Sequence, residues 1–158
     1  MIRPAKFVDI PRLVDLLCEM HAESRYAGKV EISRKAAHTL LQQCVTRHGG
    51  QHEGGALVMV AEHEGSVEGF MVGMLDRIYH VGDMLAAIDV YLYATAAAPK
   101  MTPRRLLDAY VAWASENPKV FEIRLSWTDT MEGAERIGAV YEKMGFRRCG
   151  AIYERAVR

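Results

Sequence analysis

Val140-Tyr141-Glu142-Lys143-Met144-Gly145-Phe146-Arg147-Arg148-Cys149-Gly150 reads as the end of a helix, a glycine turn and the opening of a strand. Gly145 stands just past the helix end, where the backbone turns left-handed; glycine tolerates this because it has no Cβ. Phe146 then enters the core as the chain reverses. Tyr141 keeps helical spacing with Ile137 and Met144, so its ring belongs to the buried face and its hydroxyl to the border of the core. A tyrosine so placed is either a packing residue or a proton donor at the edge of a site, and this stretch alone leaves both open.

Upstream, strand and helix patterns alternate. Ile2-Arg3-Pro4-Ala5 reads as a short edge strand, because proline cannot donate to a ladder. Asp9 is expected to cap a helix over residues 10–20, whose apolar Ile10, Leu13, Val14, Leu16, Leu17 and Met20 share one face. After a polar connection, Ser33 caps a second helix with its stripe at Ala36, Ala37, Leu40, Leu41, Cys44 and Val45. Residues 56–62 and 67–79 read as antiparallel strands joined at Glu64-Gly65-Ser66. Gly69 and Gly73 lie on one face of the second, where they permit a bulge or a close approach. A third strand runs from Met84 or Leu85 to Tyr93. Thr102 is expected to cap the next helix and Pro103 to sit in its first turn, with Leu106, Leu107, Tyr110, Val111 and Ala114 facing inward. Residues 120–127 form a strand, 132–144 the last helix, and 146–157 one strand or a broken pair. The order β-α-α-β-β-β-α-β-α-β predicts a mixed α/β fold in one domain over 1–158, its largely antiparallel central sheet flanked by helices.

Composition narrows the classes of function. With 158 residues, half of them hydrophobic, the chain can bury a sizeable core without staples. Twenty basic residues balance twenty acidic ones, which removes the simplest electrostatic case for a nucleic-acid or membrane-surface partner. No segment approaches the ~18 consecutive apolar residues of a membrane helix, and no leader pattern is evident, so a cytoplasmic protein is expected. Cys18, Cys44 and Cys149 are far apart and read as reduced thiols. The six histidines form no ligand pair on a confident helix, and strand alternation turns His63 away from Glu62 and Glu64, so no metal site is expected. Trp113 and Trp127 are expected in the core.

Tyr141-Glu142-Lys143-x-Gly145-Phe146, in this setting, resembles the closing segment of the GNAT acyltransferase superfamily. Ile2-Arg3-Pro4-Ala5-x-x-x-Asp9-Ile10-x-x-Leu13 is similar to its first strand and helix, and Asp89-Val90-Tyr91-Leu92 to its central strand. The agreement in order and spacing covers nearly the whole chain. The resemblance implies an acyl-CoA N-acyltransferase fold, with acetyl-CoA as co-substrate and a primary amine, in a small molecule or a peptide, as acceptor. It implies Tyr141 as general acid toward the leaving thiolate, and Asp89 as general base, with Glu62, Glu64 and Asp76 as alternatives. Val90, Tyr91 and Leu92 would hold the pantetheine arm through their backbone. The family also often pairs through its C-terminal strands, which implies a homodimer.

Two departures bear on that reading. The family carries Arg/Gln-x-x-Gly-x-Gly/Ala before the helix that follows the central strand, because glycine amides converge on the diphosphate. Here the segment is Ala98-Pro99-Lys100-Met101-Thr102-Pro103-Arg104-Arg105, without glycine and with two prolines that have no N–H. What remains is positive charge at Lys100, Arg104 and Arg105, and the Thr102 hydroxyl, so weak coenzyme A binding is expected. Ala134 stands where many members have asparagine, seven residues before the motif tyrosine. The alternative is a GNAT-like binding or structural module that has lost coenzyme A.

Overall fold

The computed structural model describes all residues, Met1–Arg158. Strands β1 (Ile2–Pro4), β2 (Ala56–His63), β3 (Ser66–Arg77), β4 (Leu85–Ala94) and β5 (Val120–Arg124) lie side by side in chain order. The first three junctions are antiparallel; β4 and β5 run parallel, because a helix returns the chain to the same end of the sheet. That helix is α3 (Thr102–Glu116). The others are α1 (Ile10–Ala22), α2 (Arg34–Thr46) and α4 (Glu135–Lys143).

Helices cover both faces. From α1 and α2, Leu13, Leu16, Leu17, Leu41 and Cys44 meet Val58, Val60, Phe70 and Val72. From α3 and α4, Leu106, Leu107, Tyr110 and Tyr141 meet Leu57, Met71 and Leu75 on the opposite face. A strand buried on both sides has no reason to alternate, which is why β2 reads Ala56-Leu57-Val58-Met59-Val60-Ala61 without a polar residue. Glu64 and Gly65, at φ 51° and 81°, make the two-residue turn that matches the twist of β2 and β3. Gly145, at φ 90°, makes the left-handed exit from α4.

Several sequence expectations are corrected. Asp9 holds the N-cap position of α1 as expected, but its side chain accepts no first-turn amide of that helix. Its carboxylate instead accepts the Lys6 N–H at 2.7 Å and pairs with the Arg3 guanidinium at 2.8 and 3.0 Å, which holds its carboxyl below the usual range. Thr102 is not the cap of α3; Met101 has that position, and Thr102 is buried in the first turn. Strand β5 stops at Arg124, three residues short of Trp127, which is 46% exposed rather than buried. Residues 147–158 form no strand. Interspersed Arg147, Arg148, Gly150, Glu154 and Arg155 leave that segment no continuous apolar face to bury, and Ile152, Tyr153 and Val157 remain exposed.

Candidate functional site

The sheet opens where β4 and β5 part. Their last paired residues are Ile88 and Arg124; beyond them β4 runs on through Asp89–Ala94 bonded only to β3. The backbone of β4 facing β5 is therefore without a ladder partner over Val90, Tyr91 and Leu92. In the β3–β4 ladder Val72 opposes Tyr91 while Gly73 opposes Asp89, so Val90 is an extra, bulged residue at the mouth of the opening. Gly73 makes room beneath it. A Cβ there would stand 2.5 Å from Cε2 of the fully buried Tyr110, so only glycine lets that ring lie against the sheet.

Asp89 is half-buried at the point of divergence. Its carboxylate accepts the backbone N–H of Ser126 at 3.1 Å and the Ser126 hydroxyl at 3.1 and 3.2 Å. This side-chain acceptor takes the amide that a continued β5 would have offered to the ladder, which is why the strand ends early. Burial raises the Asp89 pKa, the bonds from Ser126 oppose the rise, and no basic side chain pairs with it.

Two tyrosines close the opening from below. Tyr141 of α4 donates to the Ser126 carbonyl at 3.1 Å, and Tyr110 of α3 to the Arg124 carbonyl at 3.0 Å. Both carbonyls belong to the chain just where it leaves the sheet, so the hydroxyls satisfy acceptors that the divergence strips of partners. Burial, and then the Asp89 charge, push both phenol pKa values well above their usual range. Tyr141 and Asp89 thus meet on one residue, Ser126, with a firmly held proton on one side and a carboxylate on the other.

The other candidate bases lie elsewhere. Glu62 pairs with Arg3 at 2.8 Å, Glu64 occupies the β2–β3 turn, and Asp76 contacts His80 at 2.7 Å. Ser126, Tyr110 and the contact between the Tyr93 hydroxyl and Glu23, 2.6 Å long, were not legible as site features in the sequence. The only signal for Ser126 is a small hydroxyl interrupting Phe121-Glu122-Ile123-Arg124-Leu125-Ser126-Trp127.

The start of α3 fits a diphosphate poorly. The Thr102 N–H donates to the Pro99 carbonyl at 2.8 Å and that of Arg105 to Met101 at 3.0 Å, while Pro103 has none. Arg104 has a free first-turn amide, but its guanidinium is paired with Asp108 one turn along at 2.9 Å. Lys100 and Arg105 are exposed and carry no ion pair. Glu62, Glu68, Pro99, Thr102 and Arg105 line a cavity of about 20 Å³ there, so acidic side chains flank the remaining charge.

No family model matches the chain, and no curated protein is similar to it in sequence. Solved structures match over almost the whole chain. A ribosomal-protein-alanine N-acetyltransferase from Brucella melitensis biovar Abortus 2308 has a TM-score of 0.68 at 18% identity, covering 99% of both chains. A predicted acetyltransferase from Clostridium acetobutylicum, solved with acetyl-CoA, has a TM-score of 0.68 at 17% identity, covering 99% of this chain and 96% of that one. A transcriptional regulator from Bacillus halodurans C-125 has a TM-score of 0.72 at 17% identity, covering 99% of this chain and 98% of that one. At these identities the likeness establishes the fold, which is the acyl-CoA N-acyltransferase fold of the GNAT superfamily.

Proposed function

We propose that the chain is an N-acyltransferase that moves an acetyl group from acetyl-CoA to a primary amine. The observation that carries this is the opening between β4 and β5, where Asp89 and Tyr141 converge on Ser126 beside the unpaired backbone of Val90, Tyr91 and Leu92. Acetyl-CoA supplies a thioester whose sulfur departs as a thiolate. The β4 backbone can hold an extended amide-bearing arm by strand-like hydrogen bonds, and the bulge at Val90 frees an amide for developing negative charge. Asp89 receives the proton of the attacking amine. Its burial raises its proton affinity toward the range such a base needs. Tyr141 keeps its proton at Oη until the sulfur leaves, since its pKa is raised above that of a free phenol. Lys100, Arg105 and the Arg104 amide hold the diphosphate mainly by charge. The work is done by one domain, in the cytoplasm, and by a homodimer, to which the open outer edge of β5 is suited.

A second reading, a binding module without coenzyme A, draws on the amides at the start of α3 that are occupied or missing. It also draws on the fold being shared with a protein described as a transcriptional regulator. Isothermal titration with acetyl-CoA separates the two. The enzyme reading expects binding that weakens with salt and amine-dependent release of free thiol; no heat and no thermal shift at millimolar acetyl-CoA leaves the module.

A further inference from the structure

We propose that Arg25 is a carboxylate-binding site at the rim of the opening, held in this structure by the chain's own Glu154, and that it receives the carboxylate of an amine acceptor. Arg25 donates Nη1 and Nη2 to the two Glu154 oxygens at 2.8 and 2.5 Å, the forked geometry by which a guanidinium recognises a free carboxylate. The arginine is fixed in place. Its backbone N–H donates to the Thr130 carbonyl at 2.9 Å, its guanidinium stands 4.7 Å from the Tyr26 ring centroid, and Nη2 also donates to the Tyr26 hydroxyl at 3.0 Å. Its Nε is shut off from solvent without a hydrogen bond, with Asp129 at 3.4 Å as its nearest charge.

The carboxylate, by contrast, arrives on a segment that little else holds. Across residues 147–158 the bonds from Arg25 to Glu154 are the only hydrogen bonds to the rest of the protein; the other, from Arg148 to Gly150, is internal. Ile152, Tyr153 and Val157, at 77%, 92% and 82% exposure, add no burial. One exposed ion pair stabilises by less than the entropy of ordering even two residues of chain costs. Glu154 is therefore displaceable, whereas the site that binds it is preorganised.

The location ties the site to the opening. Glu23, two residues before Arg25, accepts the Tyr93 hydroxyl of β4 at 2.6 Å. Thr130, which anchors the Arg25 backbone, lies four residues beyond Ser126, a separation of at most roughly 14 Å. The acceptor class that suits such a site bears both an amine and a carboxylate, the amino-acid class, with its carboxylate on Arg25 and its amine toward Asp89. The word acceptor rests on the acyltransferase reading; the carboxylate site does not.

The test is binding of amino acids and of the same amines without the carboxylate: glycine with methylamine, β-alanine with ethylamine, L-lysine with cadaverine. Each is titrated into the full chain, Glu154→Gln, Arg25→Gln and Arg25→Lys. At least one acid should bind better than its amine, and about 2- to 5-fold better still in Glu154→Gln, which removes the competitor and lies where nothing packs. Arg25→Gln should lose about 10-fold or more of that affinity, and Arg25→Lys, which keeps the charge without the fork, should recover only part of it. Acids that bind no better than their amines, or that bind Glu154→Gln and the parent chain alike, overturn the proposal. Because these titrations contain no coenzyme A, a failed acyltransferase reading leaves their outcome intact.

Discussion

At the residue scale, Tyr141 and Asp89 each have a structural duty that any catalytic role must share. Removing the Tyr141 hydroxyl leaves the Ser126 carbonyl short of a donor, so Tyr141→Phe should cost about 1 kcal/mol of stability whatever the function. On the acyltransferase reading it should also lower turnover by roughly 10²-fold with acetyl-CoA affinity nearly unchanged, because the proton is needed only as the bond breaks. Steady-state rates beside calorimetric affinities check this; unchanged turnover with a lower melting temperature leaves Tyr141 a packing residue. Asp89 gives a prediction of opposite sign for stability. Its pKa is raised in the folded state, so its contribution to stability is greatest at low pH and is lost as pH rises through the folded value. Asp89→Asn should therefore match or exceed the parent in melting temperature at pH 7, and lose that advantage below the ordinary carboxylate pKa of about 3.9. Its turnover should fall sharply, and the parent's rate should decline on acidification through the raised pKa. A variant that is less stable at pH 7 and fully active contradicts both halves.

At the scale of elements, the start of α3 decides how coenzyme A is held. With Arg104 paired to Asp108 and the Thr102 and Arg105 amides occupied, the free charge lies on Lys100 and Arg105. Lys100→Ala with Arg105→Ala should weaken acetyl-CoA binding and flatten its salt dependence, while Arg104→Ala alone should do less. Titrations at two ionic strengths distinguish these, and equal losses from both variants contradict the assignment. Much of this was legible beforehand: the missing glycines and the two prolines are facts of composition. Which arginine is spent on a helix neighbour was not, because four-residue spacing permits the Arg104–Asp108 pair without requiring it.

For the whole molecule, the outer edge of β5 and the C-terminal segment bear on assembly. Light scattering over a dilution series should give a dimer mass; a monomer at all concentrations confines the site to one chain. Truncation after Arg147 should leave the melting temperature of the chain nearly unchanged, since it removes only an exposed ion pair; a large drop in differential scanning calorimetry contradicts this.

The succession of strands and helices up to α4, the turn at Gly145 and the inward faces of the helices, exposed Ala36 excepted, were determined by the sequence, because periodicity and turn chemistry are local. The end of the last segment misled for the same reason. Apolar residues at Ile152 and Val157 suggest a strand, but a strand needs a partner and a face to bury, and neither is a local property. Only the tertiary structure decided that β4 and β5 separate at Asp89, that Ser126 joins Asp89 to Tyr141, and that Arg25 and Glu154 meet. These depend on contacts between residues 15 to 129 positions apart, whose register follows from how the helices pack on the two faces of the sheet and from no pattern along the chain.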